Sequence, residues 1–491
     1  MTGAVRRKRD DELVLNIFAA AIGFAPKRVW CPAPSIEHRT APYPAPGTIR
    51  IGTKDTAEAG ARFSPSPYAV VVESGTHRAF IGVQAEAGWH RWNYAAFDVT
   101  SRGVRVRVDL EGHTPLPAAA KHIRARVIAG AAGEDRYALL RRGLARLYPA
   151  AYKARARKTP AWWSRPTYCG WGDQVGMSLA LEGPGLESRC LAYCIQGLYE
   201  RWIRRLDEAG VPFGTVIVDG GWSPGGVWKP HPAQWPDLKG FIAGQHEKGR
   251  RVLLWTPLWY HDGLPDAWCA FAGKKRLAAD PTHPAYRRFL AAQVRHLLSP
   301  DGFDADGFKV DMLSCIPCER GARSYEHFGR NRAIADPHPL IRLHVRAWGC
   351  ELLYLLQKTL YRAAKAAKSD ALVTSSSVHP YFHDTFDMVR LHDTGAVKGD
   401  VIAAMKARAD LARATLPHHL VDADDWIPYD FGKWLRYTSN SHRIGVPCLF
   451  YSERFVRSFD AEPVAPPVRL ATLRKISRAW RKAPHVVGAD Q

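Results

Sequence analysis

From Trp162 to Tyr451 the sequence alternates short apolar runs with longer amphipathic stretches, as strand–helix units of a parallel sheet do. Each parallel strand needs a long crossover before the next, so this rhythm restricts the fold to the α/β class. Eight strands are predicted, the number found in a (β/α)8 TIM barrel. They lie at 167–172, 214–219, 252–259, 307–312, 371–376, 388–393, 419–424 and 446–451, with helices at 188–209, 285–298, 341–368, 401–414 and 432–441.

The first 155 residues follow a different pattern. Strand-like alternation at 68–74, 78–85 and 104–112 is separated by turns rich in Gly, Pro and Ser, which predicts an N-terminal β-sandwich. A helix from Asp135 to Leu147 and a polar linker lead into the barrel. We therefore expect three parts, which are a β-sandwich at 1–155, a catalytic barrel at 156–457 and a short basic C-terminal tail at 458–491.

Two carboxylates stand at the carboxyl ends of predicted barrel strands, where barrel enzymes carry their chemistry. Asp311 ends Gly-Phe-Lys-Val-Asp, and Asp393 ends Val-Arg-Leu-His-Asp. Retaining glycoside hydrolysis needs two such groups, because one attacks the anomeric carbon while the other protonates the leaving oxygen. A single Asp after a strand is commonly a helix cap. The pair therefore indicates an active site only because the other predicted strand ends also carry polar and aromatic residues.

Those other strand ends carry carboxylates, indoles and cations. Carboxylates accept hydrogen bonds from sugar hydroxyls, and indole faces cover the apolar faces of sugar rings. Lys309, two residues before Asp311 on the same strand face, is expected to lower the pKa of that carboxyl. The substrate-binding candidates are Trp171, Asp219, Trp222, Trp255, Lys309, Arg390 and Asp424.

Over about residues 160–455 the chain resembles family 36 of the glycoside hydrolases, the α-galactosidases and raffinose-synthase-like proteins. The motifs that carry the resemblance are VIVDGGW with the following VWKPHPAQWPDLKGFIAGQHEKGRRVLLWTPLWY, then DGFKVDM, VRLHDTG, DADDW and RIGVPCLFYSE. The resemblance implies a retaining α-glycosidase with Asp311 as nucleophile and Asp393 as general acid/base. It also implies that Asp219 and Lys309 bind sugar hydroxyls and that Trp222, Trp171 and Trp255 line the glycone pocket.

Three departures from the family pattern concern substrate recognition. Gly220 stands where the family has the second Asp of Asp-Asp-Gly-Trp, and Val310 replaces the Trp between Lys and Asp. The segment SSSVHPYFHD stands where galactosidases carry a Cys and a Gly-Gly-Gly-Arg run. Because both catalytic carboxylates remain, the resemblance supports the reaction class more strongly than galactose as the sugar. Hydrolysis and transfer to an acceptor both stay open.

The partner expected from this chemistry is a small carbohydrate, with no metal and no cofactor. The net charge of +22 is spread along the chain without a compact basic arm, so no nucleic-acid partner is expected. A metal-dependent barrel hydrolase is one alternative, because several His and Asp residues could be ligands. They are His261-Asp262, His383-Asp384, His392-Asp393, and His418 and His419 with Asp422 and Asp424. A non-catalytic sugar-binding barrel is the other. The oligomeric state stays open, homo-oligomers included.

The sequence also carries signals about location. No apolar run reaches the roughly 20 residues that span a bilayer. Asp10, Asp11 and Glu12 interrupt the basic N-terminus in a way that secretory leaders do not. The nine scattered cysteines are typical of reduced thiols, so we expect a cytoplasmic protein with no membrane contact. Oxidation of Cys315 and Cys318 is a minor alternative to the reduced state of these two thiols.

Overall fold

The structure is a computed structural model of the 491-residue chain. It describes residues 5–9, 12–31, 43–44, 47–52, 68–85, 94–109, 123–131, 133–153, 159–183, 189–272, 274–313, 322–323, 350–391, 400–427, 430–453, 455 and 466–482.

Ten strands among the described N-terminal residues form two antiparallel sheets. The first sheet has the order β1-β2-β9-β8-β5 and the second β10-β7-β6-β3-β4. The alternating stretches predicted near 70, 80 and 105 are strands, whereas the packing of the two sheets as one sandwich stays a prediction. The strands are β1 Val5–Arg9, β2 Glu12–Ala21, β3 Arg28–Trp30, β4 Tyr43–Pro44, β5 Gly47–Gly52, β6 Ala69–Ser74, β7 His77–Ala85, β8 Tyr94–Val99, β9 Gly103–Asp109 and β10 Ile123–Ala129.

Eight parallel strands of the described chain form one curled sheet, as the sequence rhythm predicts. They pair in chain order, the last strand pairs with the first, and a parallel bridge between Asp422 and Val446 links the seventh to the eighth. These pairings close a barrel whose strands are buried on both faces, which explains their apolar sequences. The strands are β11 Thr167–Cys169, β12 Thr215–Val218, β13 Arg251–Pro257, β16 Gly307–Asp311, β18 Leu372–Ser375, β19 Met388–Val389, β20 Leu420–Val421 and β21 Cys448–Leu449.

Helices connect the barrel strands, and a three-stranded insert combines two strands that follow β13 with one that follows β16. The insert consists of β14 Cys269–Ala272, β15 Lys275–Ala279 and β17 Ala322–Arg323. The helices are α1 Arg136–Leu147, α2 Pro149–Tyr152, α3 Trp171–Glu182, α4 Gln196–Glu208, α5 Leu238–Glu247, α6 Pro284–Leu298, α7 Cys350–Ala367, α8 Val401–Thr415, α9 Phe431–Thr438 and α10 Pro466–Lys482.

The prediction of a strand as far as residue 172 is wrong at its end. Strand β11 stops at Cys169, and Trp171 already begins helix α3. A side chain at position 170 would place its Cβ 2.2 Å from the ring of Tyr199, so only glycine fits there. The early turn puts Asp173 in the first turn of the helix. There its carboxylate accepts hydrogen bonds from the amides of Ser452 and Glu453 after the last strand.

Helix α10, in the segment expected to be a tail, packs against the barrel. Its residues Leu473, Ile476 and Trp480 are buried. The buried Arg469 donates to the carbonyl of Tyr451 at 3.2 Å, just after strand β21. The helix therefore packs beside the end of the last barrel strand, against helix α9. Within the described residues, no helix is both long and apolar enough to cross a bilayer.

Contacts between tyrosines and the barrel join the N-terminal part to it. Tyr152 donates to the carbonyl of Ala414 at 2.7 Å, and the hydroxyl of Tyr68 lies 3.2 Å from that of Thr415. The ring of Tyr68 packs edge-on against His379, with centroids 4.2 Å apart. Burial lowers the pKa of His379 to about 3, so this ring is neutral at physiological pH and serves packing.

Candidate active site

Asp311 ends strand β16 with its carboxylate held by three donors. The amide of Met312 donates to Oδ1 at 2.8 Å, the indole Nε1 of Trp255 donates to Oδ2 at 2.9 Å, and Arg390 Nη1 lies 3.3 Å from Oδ1. Met312 has a φ of 57°, a left-handed conformation that is rare for its residue type and turns the chain away at this point. The side chain of Asp311 keeps 14% exposure. The site therefore offers an oriented, charge-stabilised carboxylate that solvent can still reach.

Lys309 lies two residues before Asp311 on the same strand, but its ammonium group contacts other carboxylates. Its Nζ is 2.8 Å from Asp219 Oδ2 and 3.9 Å from Asp424 Oδ2. Burial alone would lower the pKa of Lys309, but the Asp219 carboxylate, aided by Cys169 and Asp424, raises that pKa well above its usual value. The cation that the structure shows paired with Asp311 is Arg390. The effect of Lys309 on the pKa of Asp311 stays a prediction.

Arg390 connects the two groups of charges. Its Nε donates to Asp424 Oδ2 at 2.7 Å, and its Nη1 donates to the carbonyl of Val310 at 3.2 Å as well as facing Asp311. Because Asp424 also faces Lys309, one buried chain of contacts runs from Asp219 through Lys309, Asp424 and Arg390 to Asp311. Four predicted site residues thus lie in one network with the predicted nucleophile.

Aromatic residues cluster around Trp255, whose indole donates to Asp311. The indole of Trp222 donates to the carbonyl of Trp255 at 2.7 Å, and the ring of Trp255 packs edge-on against Tyr260. Together with Trp228 these rings line a cavity of about 240 Å³ beside strand β13, and Asp311 and the charged residues joined to it are not among the residues that line this cavity. Trp171 lies elsewhere, edge-on to Trp426, with centroids 5.9 Å apart. Trp222 and Trp255 are therefore joined to Asp311, whereas Trp171 packs at the ends of the first and seventh strands.

The Gly220-Gly221 pair explains one departure from the family 36 pattern. A Cβ on Gly220 would lie 3.0 Å from the side chain of Leu191 and 3.4 Å from Trp255. Gly221 has a φ of 107°, and a Cβ there would lie 2.3 Å from the carbonyl oxygen of Leu191. A side chain at position 220 would therefore need the side chain of Leu191 to shift, whereas position 221 accepts only glycine.

Sequence reasoning left two polar residues out of the predicted site. Cys169 Sγ lies 3.0 Å from Asp219 Oδ2 and 3.5 Å from Lys309 Nζ, and burial raises the pKa of its thiol. Asp422 Oδ1 accepts the amides of Leu391 at 3.3 Å and Asp424 at 3.0 Å. Burial, and then the charge of Asp424, raises the pKa of Asp422 to about 7. Both residues stand at strand ends, which is the signal that could have identified them.

Asp393 and His392 lie outside the described residues, as do Cys315 and Cys318. The described chain before Asp393 ends at Leu391, which is buried. The predicted role of Asp393 is consequently untested by the geometry.

Several His and Asp residues considered as metal ligands bind protein groups instead. His418 Nε2 donates to the carbonyl of Tyr152 at 3.1 Å, and His383 Nδ1 lies 3.0 Å from the carbonyl of Pro380. Asp384 forms an ion pair with Lys358. In the part of the chain that the structure describes, no three His, Cys, Asp or Glu side chains are grouped so as to hold a metal ion.

Comparison with known proteins identifies relatives in fold. No protein-family profile and no curated protein matches the sequence. Among solved structures, the cycloalternan-degrading enzyme from Trueperella pyogenes matches with a TM-score of 0.56 and 16% identity, over 96% of this chain and 67% of that one. The same enzyme in complex with a covalent intermediate matches with a TM-score of 0.56 and 14% identity, over 96% and 64%. A family 31 sulfoquinovosidase from E. rectale, bound to an aza-sugar inhibitor, matches with a TM-score of 0.57 and 14% identity, over 96% and 68%.

At these identities the likeness establishes the fold, which this chain shares with glycoside hydrolases. The chain spans about two thirds of the length of these enzymes. The neighbour with a stated family belongs to family 31, so the structural similarity does not single out family 36.

The raised pKa of Asp422 predicts a pH-dependent stability difference for Asp422→Asn. The folded protein holds the Asp422 proton up to about pH 7, whereas the unfolded chain releases it near pH 4, so the wild type loses stability as pH rises through this window. Asn carries no such proton. Urea unfolding at pH 5 and pH 8 should therefore show the variant gaining stability relative to wild type at the higher pH. An equal difference in the free energy of unfolding between variant and wild type at pH 5 and pH 8 would contradict the raised pKa of Asp422.

Proposed function

We propose that this chain is a retaining α-glycoside hydrolase in which Asp311 is the nucleophile. The observation that carries the proposal is the carboxylate of Asp311, fixed at a barrel strand end by Trp255, Met312 and Arg390 yet still solvent-accessible. Nucleophilic attack needs an ionised carboxylate in a defined orientation, and these three donors supply both. The shared fold with glycoside hydrolases supports the same reaction class.

In the proposed reaction an oxygen of Asp311 attacks the anomeric carbon, and the glycosidic bond to the leaving oxygen breaks. Asp393 donates its proton to that oxygen. A water molecule then attacks the glycosyl-enzyme, Asp393 takes a proton from the water, and Asp311 leaves as a carboxylate. Two inversions at the anomeric carbon give net retention. Arg390 and Trp255 stabilise the charge on Asp311 before attack and after release.

The proposed substrate is a small α-glycoside or oligosaccharide. The sequence resemblance favours an α-galactosidase-like glycone, whereas structural neighbours were solved with isomaltose or cycloalternan, and another is a sulfoquinovosidase. Asp219, Lys309 and Asp424 are the proposed partners of sugar hydroxyls, and Trp222 and Trp255 the proposed aromatic wall. Gly220 removes one carboxylate from this set, so galactose is one candidate among several glycones.

A screen of purified protein against chromogenic aryl glycosides tests the proposal. The panel contains α- and β-linked galactosides, glucosides and sulfoquinovosides, and release of the aryl group is followed by absorbance. We expect turnover in the α series alone, and proton NMR of the first product should show the α anomer. Turnover of β-glycosides only, or a β-configured first product, would contradict a retaining α-glycosidase. Sugar binding without turnover would favour the non-catalytic barrel.

A further inference from the structure

A second cavity, of about 430 Å³, lies at the end of the barrel opposite the candidate active site. Its walls include residues 164–166, 212–214 and 248–249, which lie just before strands β11, β12 and β13, and residues 480–481 of helix α10. The chemistry of a barrel enzyme takes place at the carboxyl ends of its strands, whereas this cavity is at their amino ends. None of the described residues that line it belongs to the candidate active site.

Three cations from separate elements border this cavity, and no carboxylate is among the described residues that line it. The cations are Arg165, Lys248 and Arg481, and all three are exposed. Within the part of the chain that the structure describes, Arg165 and Arg481 form no ion pair. Lys248 shares the carboxylate of Asp207 with Arg250, and its Nζ lies 3.7 Å from Asp207 Oδ2. The cavity therefore carries an excess of positive charge.

Arg165 is held in place although it is exposed. Its Nη1 donates to the carbonyl of Gly249 at 2.9 Å. A Cβ at position 214 would lie 2.3 Å from Arg165 Cδ, so the glycine there leaves room for this side chain. A carbonyl occupies one of the five N–H donors of a guanidinium group and does not neutralise its charge. Arg165 therefore brings further donors and a full positive charge to the cavity wall.

Apolar rings form another part of the wall. Trp480 is buried, and its indole donates to the carbonyl of Ser164, which joins helix α10 to the residues before β11. Phe213, Pro166 and Pro212 add further apolar surface. Apolar walls lower the local dielectric constant, which strengthens the attraction between the cations and a bound anion. The volume lies in the range of small-molecule sites, roughly 300–1,000 Å³, so the cavity has room for more than a bare ion.

We infer that this cavity binds a small organic phosphate, whose phosphate group is held by Arg165, Lys248 and Arg481. The organic part lies against Trp480 and Phe213. A guanidinium group binds phosphate through two parallel hydrogen bonds. A phosphate monoester carries nearly two negative charges at neutral pH, which matches the excess of cations better than a single carboxylate does. Binding here does not depend on the proposed function, because no group of the candidate active site takes part.

Titration calorimetry with phenyl phosphate tests the site, and benzoate serves as the singly charged probe with the same ring. We expect phenyl phosphate to bind at least about tenfold more tightly than benzoate. Arg165→Gln and Arg481→Gln should each raise the Kd of phenyl phosphate about tenfold, because each removes a charge-assisted hydrogen bond. Arg478→Gln is the matched control, since it removes the same charge from an exposed position of helix α10 that does not line the cavity. Its Kd should stay within about twofold of wild type.

Inorganic phosphate separates recognition of the phosphate group from recognition of the ring. We expect it to bind about fivefold more weakly than phenyl phosphate, because it leaves the rings of Trp480 and Phe213 uncovered. Equal affinities would show that the organic part of the ligand is wrongly assigned. If all three Arg variants weaken binding equally, the chain's overall charge attracts the anion and the cavity is not its site. An unchanged ³¹P line width of phenyl phosphate in the presence of the wild-type protein would also overturn the inference. Turnover of glycosides does not enter these measurements, so the proposed function can fail while this site stands.

Discussion

Replacement of Asp311 by Ala is expected to lower kcat roughly 10⁴- to 10⁶-fold on every glycoside, the range seen when a covalent nucleophile is removed. The three groups that bind this carboxylate are hydrogen-bond donors, so none of them supplies an oxygen that could attack in its place. Stopped assays with the best substrate from the aryl glycoside screen measure the loss. Asp301→Ala, which removes an exposed carboxylate on an outer loop, should leave kcat unchanged.

Chemical rescue separates the nucleophile from a residue that merely maintains the fold. In Asp311→Gly a small anion fits the emptied position, so added azide should restore turnover and give the β-glycosyl azide, with inverted configuration. The same anion added to Asp393→Ala should give the α-glycosyl azide, because the first inversion on Asp311 still occurs. Near-wild-type activity of Asp311→Asn, or azide products of equal configuration from both variants, would exclude the proposed roles.

The barrel could be predicted from sequence because its strands are buried on both faces. Each strand is therefore a short apolar run, and its functional residue follows at the carboxyl end, as in Gly307–Asp311. All eight predicted strands are present, and Asp311, Asp219, Lys309, Arg390 and Asp424 lie in one network. The spacing of the apolar runs and the position of polar residues at their carboxyl ends predict these features without knowledge of any contact.

Other features depend on contacts between distant residues. Position 170, just after strand β11, accepts only glycine because Tyr199 occupies the space beside it. Lys309 pairs with Asp219, which follows strand β12, two places from β16 in the sheet, since inward side chains of different strands meet inside the barrel. Cys169 and Asp422 stand at predicted strand ends, but the contacts of Cys169 with Asp219 and Lys309, and of Asp422 with Leu391, join distant parts of the chain.

Lys309→Met is expected to lower the free energy of unfolding by about 3–5 kcal/mol, the cost of leaving a buried charge without its partner. Lys309 is 4% exposed and Asp219 is 2% exposed, so water cannot replace the lost ammonium group. Methionine has a similar length, which keeps the change in packing small. Urea unfolding at neutral pH measures the loss. Lys358→Met breaks the more exposed pair with Asp384 and should cost no more than about 1 kcal/mol.

A second substitution identifies the stranded carboxylate as the cause. Asp219→Asn removes the unpaired charge in the Lys309→Met background, so the double variant should be more stable than Lys309→Met alone.

The raised pKa of Lys309 also determines how its contribution to stability depends on pH. Its stabilising contribution is fully present below the unfolded-state pKa near 10.4 and is lost only as pH rises through the higher folded-state value. The charge of Lys309 is therefore the same at pH 6 and pH 8, so a smaller destabilisation of Lys309→Met at pH 6 would report protonation of the stranded Asp219 carboxylate, and a smaller destabilisation at pH 8 would point to a different group.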